Sequence, residues 1–240
     1  MQNRYTGDIG AFGKLGLLKW LGKSGFSIGV NWYLVPDEAH NADGLHISYL
    51  KDNTYRKFDA DLWQSLRDIV NSGIREIKAL ETPAILNAIF FSDVIDLSKA
   101  PTADRARYRQ LWHARALEQL NRCNLVFLDP DNGLMVPSAE RSMKAGKFVL
   151  PQELADYYRQ GSSVVYYQHK ARLPDSVYIE QFHRLTASGN FPDAIGLGLK
   201  FKTTSQRYYF FIMQPQHAER INACVKQFLD SKWSEHFVML

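Results

Sequence analysis

The chain has 240 residues, 45% of them apolar, 13% aromatic and 22% charged, and carries a net charge of +4 with histidine neutral. That length buries a substantial core and the aromatic share excludes extensive disorder, while Cys123 and Cys224 are too few for a disulfide framework or a cysteine-built zinc centre. No run approaches the ~18 apolar residues of a membrane span, and the polar start Met1 to Asp8 lacks the apolar core of a signal peptide, so a cytoplasmic protein with no membrane partner is expected. The charge permits an anionic partner such as nucleic acid without demanding one.

Phe12, Leu15, Leu18 and Leu21 recur every three residues, with Leu17 widening the stripe, and predict a helix closed by Gly22 and Gly25. Asp8 or Thr6 is the expected cap. Gly13 and Gly16 each cost the helix ~1 kcal/mol relative to Ala, so something must need their missing side chains. Ile28 to Val35 is apolar on both faces and reads as a buried central strand. Residues 36–57 form a polar, irregular insertion, with a short strand expected at His46 to Leu50.

Leu62, Leu66, Ile69 and Val70 give a helix capped by Asp59 or Asp61. Ile74 to Leu80 is expected to be a strand, and Ala84 to Ile95 suits either helix or strand. A helix spans Asp104 to Asn121, with Tyr108, Leu111, Trp112 and Leu120 inward and Arg105, Arg107, Arg109 and Arg115 on the remaining surface. Leu125 to Leu128 is the most strand-like segment and stops at Asp129-Pro130-Asp131-Asn132-Gly133. A helix at Gln152 to Arg159, a strand at Ser163 to Tyr167 and a helix carrying Tyr178, Phe182 and Leu185 follow. A hairpin of Ala194 to Lys202 and Arg207 to Met213 precedes a last helix bearing Ile221, Val225, Phe228 and Leu229. Alternating strands and helices predict one α/β domain, a Rossmann-like, mostly parallel sheet flanked by helices with a late antiparallel hairpin at one edge.

Ligands of open α/β sheets bind beyond the carboxyl ends of the strands. Three such ends carry conspicuous polar groups: Asp37 and Glu38 after Pro36, the Asp129 to Gly133 turn, and Gln168-His169-Lys170. If the strands are neighbours, these groups share one crevice. Asp129 would sit at the lip of its strand, Pro130 would force the chain out of the ladder, and Asn132-Gly133 is a turn dipeptide. An Asx-turn that merely ends the strand would use the same residues. His169 would be an imidazole at the site or a hydrogen-bonded scaffold group, and Lys170 an anion holder or a solvated charge.

Asp37, Glu38, His40, Asp43 and His46 have the chemistry of metal ligands without a fixed ligand spacing, so a polar loop explains them equally. The glycine-dense stretch Gly7 to Gly16 follows no strand and is not a P-loop; it is either a helix cap with close packing or a helix entry lying over a ligand. Arg141, Lys144, Lys147 and Phe148, with Lys200, Phe201 and Lys202, mix charge and aromatics in the way nucleic-acid surfaces do, and also as solvated edges do.

In order of elements, the helix entry Gly7-Asp8-Ile9-Gly10-Ala11-Phe12-Gly13-Lys14, the strand Ile28 to Val35, Leu125 to Leu128 with Asp129-Pro130, and Val164 to Tyr167 resemble Rossmann-like S-adenosylmethionine-dependent methyltransferases. The likeness is to the adenine-N6 type acting on ribosomal RNA, whose Asp-Pro-Pro-Tyr motif ends the fourth strand; Asp129 and Pro130 match its first two residues. The strands from Ala194 to Met213 resemble the antiparallel pair that ends that sheet. The resemblance implies S-adenosylmethionine as cofactor, flanked by Asp8 and Lys14 and held by Asp37 or Glu38, with Asp129 and Asn132 aiming an amine. Two departures stand out: no glycine follows the first strand until Gly44, and Asn132 replaces the aromatic that stacks on a flipped base.

Asp129 and Asp131 also resemble the Asp-x-Asp of haloacid-dehalogenase-type phosphatases, which would imply a magnesium-dependent phosphoesterase or nuclease with His169 or Lys170 steadying a phosphoryl group. That family's later acidic pair is absent. The chain further resembles a bacterial and phage protein group with Asn-Arg-Tyr-x-Gly-Asp at its start and Leu-Asp-Pro-Asp-Asn-Gly within, a likeness that implies no activity. A non-catalytic binding protein on a methyltransferase-like fold is the third expectation.

Overall fold

The computed structural model describes residues 1–38, 44–140, 142–203 and 206–240. Its helices are α1 (Ile9–Lys23), α2 (Ala60–Asn71), α3 (Arg105–Gln119), α4 (Pro151–Arg159), α5 (Asp175–Thr186) and α6 (Pro215–Asp230). Its strands are β1 (Ile28–Asn31), β2 (Ala88–Phe91), β3 (Leu125–Leu128), β4 (Gly133–Leu134), β5 (Phe148–Val149), β6 (Ser163–His169), β7 (Ile195–Phe201), β8 (Arg207–Met213) and β9 (Phe237–Met239).

Seven strands form one sheet in the order β2-β1-β3-β6-β8-β7-β9, and β4 pairs with β5 apart from it. From β2 to β6 the pairing is parallel; β8 then runs antiparallel between β6 and β7, and β9 antiparallel on β7. The fold is therefore the expected Rossmann-like α/β sheet with an antiparallel edge. One refinement concerns that edge: β9, not anticipated, lies outside the β7–β8 hairpin and becomes the outermost strand.

The central strands β1, β3, β6 and β8 are buried on both faces, which is why they read as unbroken apolar runs. Along β8, Tyr209, Phe211 and Met213 join the core under α1, α2 and α6, while Tyr208, Phe210 and Ile212 join the core under α3, α4 and α5. Asp8 caps α1 by accepting from the Ala11 N–H at 2.7 Å, and Asp59 caps α2 through the Leu62 N–H at 2.9 Å. The need for glycine in α1 is met by neighbours. A Cβ at Gly10, Gly13 or Gly16 would overlap the Arg207 guanidinium, the Phe201 ring or the Trp233 ring respectively. Three glycines at a spacing of three turn one helix face into a trough.

Several expectations need correction. The first central strand ends at Asn31, not Val35, because Tyr33 is left-handed (φ 46°), a conformation that costs a non-glycine residue ~1 kcal/mol or more. The bend is held by the Asn31 carbonyl oxygen of its side chain, which accepts from the Tyr33 N–H at 3.0 Å, and by the Tyr33 hydroxyl donating to Glu153 at 3.0 Å. The expected strands at His46 to Leu50 and Ile74 to Leu80 are short 3-10 turns, Ser48–Lys51 and Ile77–Leu80. In α3 the inward stripe is shifted: Leu111 is 56% exposed, whereas Arg109, placed on the polar surface, is buried. Residues 39–43, with His40 and Asp43, lie outside the described residues, as does Arg141. Among the described residues, no helix is long and apolar enough to cross a membrane.

Candidate functional site

The sheet register places Asn31 of β1 beside Leu128 of β3, and Leu128 beside Tyr166 of β6. The three strand ends that carry the polar groups are thus adjacent. The Asp129 N–H still donates to the Asn31 carbonyl at 2.9 Å, and Pro130, without an N–H, then takes the chain out of the ladder. Asn132 donates its N–H to the Lys147 carbonyl at 2.9 Å. The Leu134 N–H donates to Gln168 Oε1 at 2.8 Å, and Gln168 Nε2 donates back to the Asn132 carbonyl at 2.9 Å. Gly133 is left-handed (φ +102°) and a Cβ there would overlap the Gln168 amide. Glycine is needed at that point, and Gln168 clamps the corner from both sides.

Asp129 is 2% exposed, and its carboxylate accepts from the Lys14 ammonium of α1 across 115 residues of sequence. Asp131 meets the Met1 α-amino group at 2.7 Å, accepts from Gln2 Nε2 at 2.6 Å and lies 3.7 Å from Lys147 Nζ. Burial works to raise the Asp131 carboxyl, but the Met1 charge, the Gln2 hydrogen bond and Lys147 overcome it and hold the group below the usual carboxylate range. The Met1 α-amino group also donates to the Tyr33 and Asp129 carbonyls, at 3.1 and 2.9 Å. Two carbonyls and a carboxylate thereby form a nest for one primary ammonium.

A cleft of about 310 Å³ opens here. From α1 and its entry it is lined by Tyr5, Asp8, Gly10 and Lys14, and from the corner by Asp129, Asp131 and Asn132. Tyr167, His169 and Arg207 contribute from β6 and β8, and Glu38, His46, Lys144 and Lys147 complete it. Burial pushes the Tyr167 hydroxyl far above its ordinary range, so it stays protonated and can donate. Burial alone would lower the Arg207 guanidinium, but Tyr167, Asp8, Tyr209 and Asp129 around it raise it, so it remains a cation. Glu38 pairs with Lys147 at 2.6 Å.

Of the residues singled out in sequence, Asp8, Lys14, Glu38, Asp129, Asp131, Asn132 and His169 line the cleft. Asp37 does not; its carboxylate is exposed and accepts from the Arg4 N–H at 3.3 Å. Lys170 does not either. Successive strand residues face opposite sides of a sheet, so His169 faces the cleft and Lys170 the α5 side, where it donates to the Leu173 carbonyl at 3.3 Å and lies 3.7 Å from Asp175. The basic strip divides likewise: Lys144 and Lys147 border the cleft, whereas Lys200 pairs with Asp175. Among the described residues no group of three or more potential metal ligands occurs. Both carboxylates of the magnesium reading already hold cations.

Several residues of the site, Gln168, Arg207, Tyr167, Met1 and Gln2 among them, have no role assigned from the sequence. Gln168 was visible only as a polar strand end, and Arg207 only as the first residue of a strand. Their pairing partners are remote in sequence, so no local pattern marks them. No protein-family model matches the chain, and no curated protein matches it in sequence.

Proposed function

We propose that this protein is a methyltransferase-like enzyme that uses S-adenosylmethionine and acts on an amine of a nucleic acid. The observation that carries the reading is that the helix entry and the Asp-Pro corner, the two segments on which the resemblance rests, meet in one cleft through Lys14 and Asp129. The antiparallel β8 between β6 and β7 adds support.

The donor set of the cleft fits the cofactor, which carries hydroxyls, a carboxylate and an α-ammonium. Asp8 and Glu38 supply acceptors for hydroxyls, and Arg207 and Lys147 supply cations for a carboxylate. The nest of Tyr33, Asp129 and Asp131 acceptors is filled by the Met1 α-ammonium and is not open to the cofactor's own. Trp32 and Tyr33 are fully buried after β1, where a glycine-rich loop would let a cofactor approach the backbone. Access is therefore from the α1 side.

When bound, S-adenosylmethionine supplies an electrophilic methyl group. The protein's own task is positioning, which requires no unusual pKa. Asp129 and Asn132 accept the N–H groups of the amine and so aim its lone pair. His169 stands in the same cleft as a base for the proton released, and Lys144 offers a cation to a phosphate backbone.

Thermal melting with increasing S-adenosylmethionine tests this directly. At ligand one hundred times its Kd the stabilisation is about 2.7 kcal/mol, roughly 5–10 °C for a chain of this size. The expected result is a rise that continues with the logarithm of ligand concentration above Kd and that Asp131→Ala diminishes. An unchanged melting temperature at millimolar cofactor removes the enzymatic reading and favours a binding protein that kept the fold.

A further inference from the structure

Lys14 is an unusual place for a charge. It lies on a helix whose buried residues are otherwise apolar or glycine apart from the Asp8 cap, and is itself 4% exposed. Lysine is almost never buried unless paired, because an unpaired ammonium in such a place costs several kcal/mol. Its Nζ meets the Met1 Sδ at 3.6 Å and three further neighbours. The Asp129 carboxylate follows β3, the Trp32 ring follows β1 with its centroid 5.6 Å away, and the Tyr167 ring belongs to β6 with its centroid 5.7 Å away. Both rings offer a π face to the cation. One ammonium therefore ties α1 to all three adjacent strand ends at the floor of the cleft.

We propose that Lys14 is a positioning residue, whose ammonium, boxed by Trp32 and Tyr167, fixes the orientation of the Asp129 carboxylate and through it the corner that meets the substrate. The inference rests on the reading of Asp129 as the acid of the site. Other groups that face Asp129 are Arg207 and Tyr209 of β8 and Tyr167 of β6, and the Met1 α-amino group on its carbonyl. Arg207 contributes long-range charge, whereas Lys14 makes the direct hydrogen bond, so the two are separable by substitution.

The experiment is chemical rescue of Lys14→Ala, which leaves a space shaped like a propylammonium ion. The variant is expected to melt about 10 °C below the wild type, in line with a broken buried ion pair in a chain of this length. Propylammonium should recover much of that loss and return the backbone amide resonances of Asp131, Asn132 and Gly133 to their wild-type positions; 1-propanol, neutral and of equal shape, should do neither. Equal rescue by propanol, or a Lys14→Met variant with wild-type melting and resonances, would overturn the proposal, because shape alone would then suffice. If Lys14→Ala does not fold, Lys14→Met is compared with Lys14→Met/Asp129→Asn. The proposal expects the double variant to be the more stable, and losses that simply add would contradict it. None of these readouts uses S-adenosylmethionine or nucleic acid, so their failure is distinct from failure of the cofactor titration.

Discussion

Replacing Arg109 with Met should lower the unfolding free energy by about 3–5 kcal/mol, the cost of stranding one partner of a buried ion pair. Arg109 Nε and Nη2 donate to the two Glu153 carboxylate oxygens at 2.6 and 2.8 Å. The same guanidinium donates to the Ala145 and Phe148 carbonyls at 2.7 and 2.6 Å. Glu153 also accepts from the Tyr33 hydroxyl and from the Leu150 N–H. Removing Arg109 therefore leaves a buried carboxylate without its counter-charge and takes a donor from each of two carbonyls, in the segment that carries Lys144 and Lys147. Urea denaturation measures the loss. Arg109→Met combined with Glu153→Leu should lose less than the sum of the two single changes, because the stranded charge is gone.

The pair also sets an acid limit. Burial pushes the Glu153 carboxyl up, but the Arg109 charge and hydrogen bonds, with His113 and the Leu150 N–H, hold it below its ordinary value of 4.5. A carboxyl lowered in the folded state adds stability that is present above its unfolded value and lost as pH falls through its folded one. Stability should thus decline below about pH 4.5, and Glu153→Gln should flatten that decline.

The second large effect falls on chemistry. Asp129→Asn keeps the shape of the side chain but removes the charge opposite Lys14 and exchanges one acceptor for a donor. On the proposed reading, methyl transfer from isotopically labelled S-adenosylmethionine to nucleic acid should fall by on the order of 100-fold or more, since misplacing a reacting group by about 1 Å already costs that much. Glu118→Gln, an exposed change on α3, should leave transfer unchanged. Transfer that survives Asp129→Asn at the wild-type rate would dismiss Asp129 as the acid of the site.

Much of the scaffold was legible because its cause is local. Leu125 to Leu128 is buried on both faces and bounded by a proline turn, so its limits agree with β3 to the residue. The Asp8 and Asp59 caps follow from side-chain chemistry at helix starts. The glycines of α1 announced a close approach, but not to what, since Arg207, Phe201 and Trp233 lie some two hundred residues onward. Tyr33 gave no warning at all. A tyrosine in an apolar run reads as strand, and it is held left-handed by the Asn31 side chain on its N–H together with the contact of its hydroxyl with Glu153, 120 residues away. Arg109 misled for the same reason, because its partner lies 44 residues further on. At the cleft, strand-end position identified Asp129, Asp131, Asn132 and His169, whereas the alternation that turns Lys170 away follows only once β6 is known to run through His169.

The decisive measurement is an experimental structure at saturating S-adenosylmethionine. The ligand should lie between the α1 entry and the Asp129 to Asn132 corner, within hydrogen-bond reach of Glu38 or Asp131. A ligand bound elsewhere, such as the surface hollow beside Trp20 and Phe58, with only solvent at the corner, would contradict the proposed function.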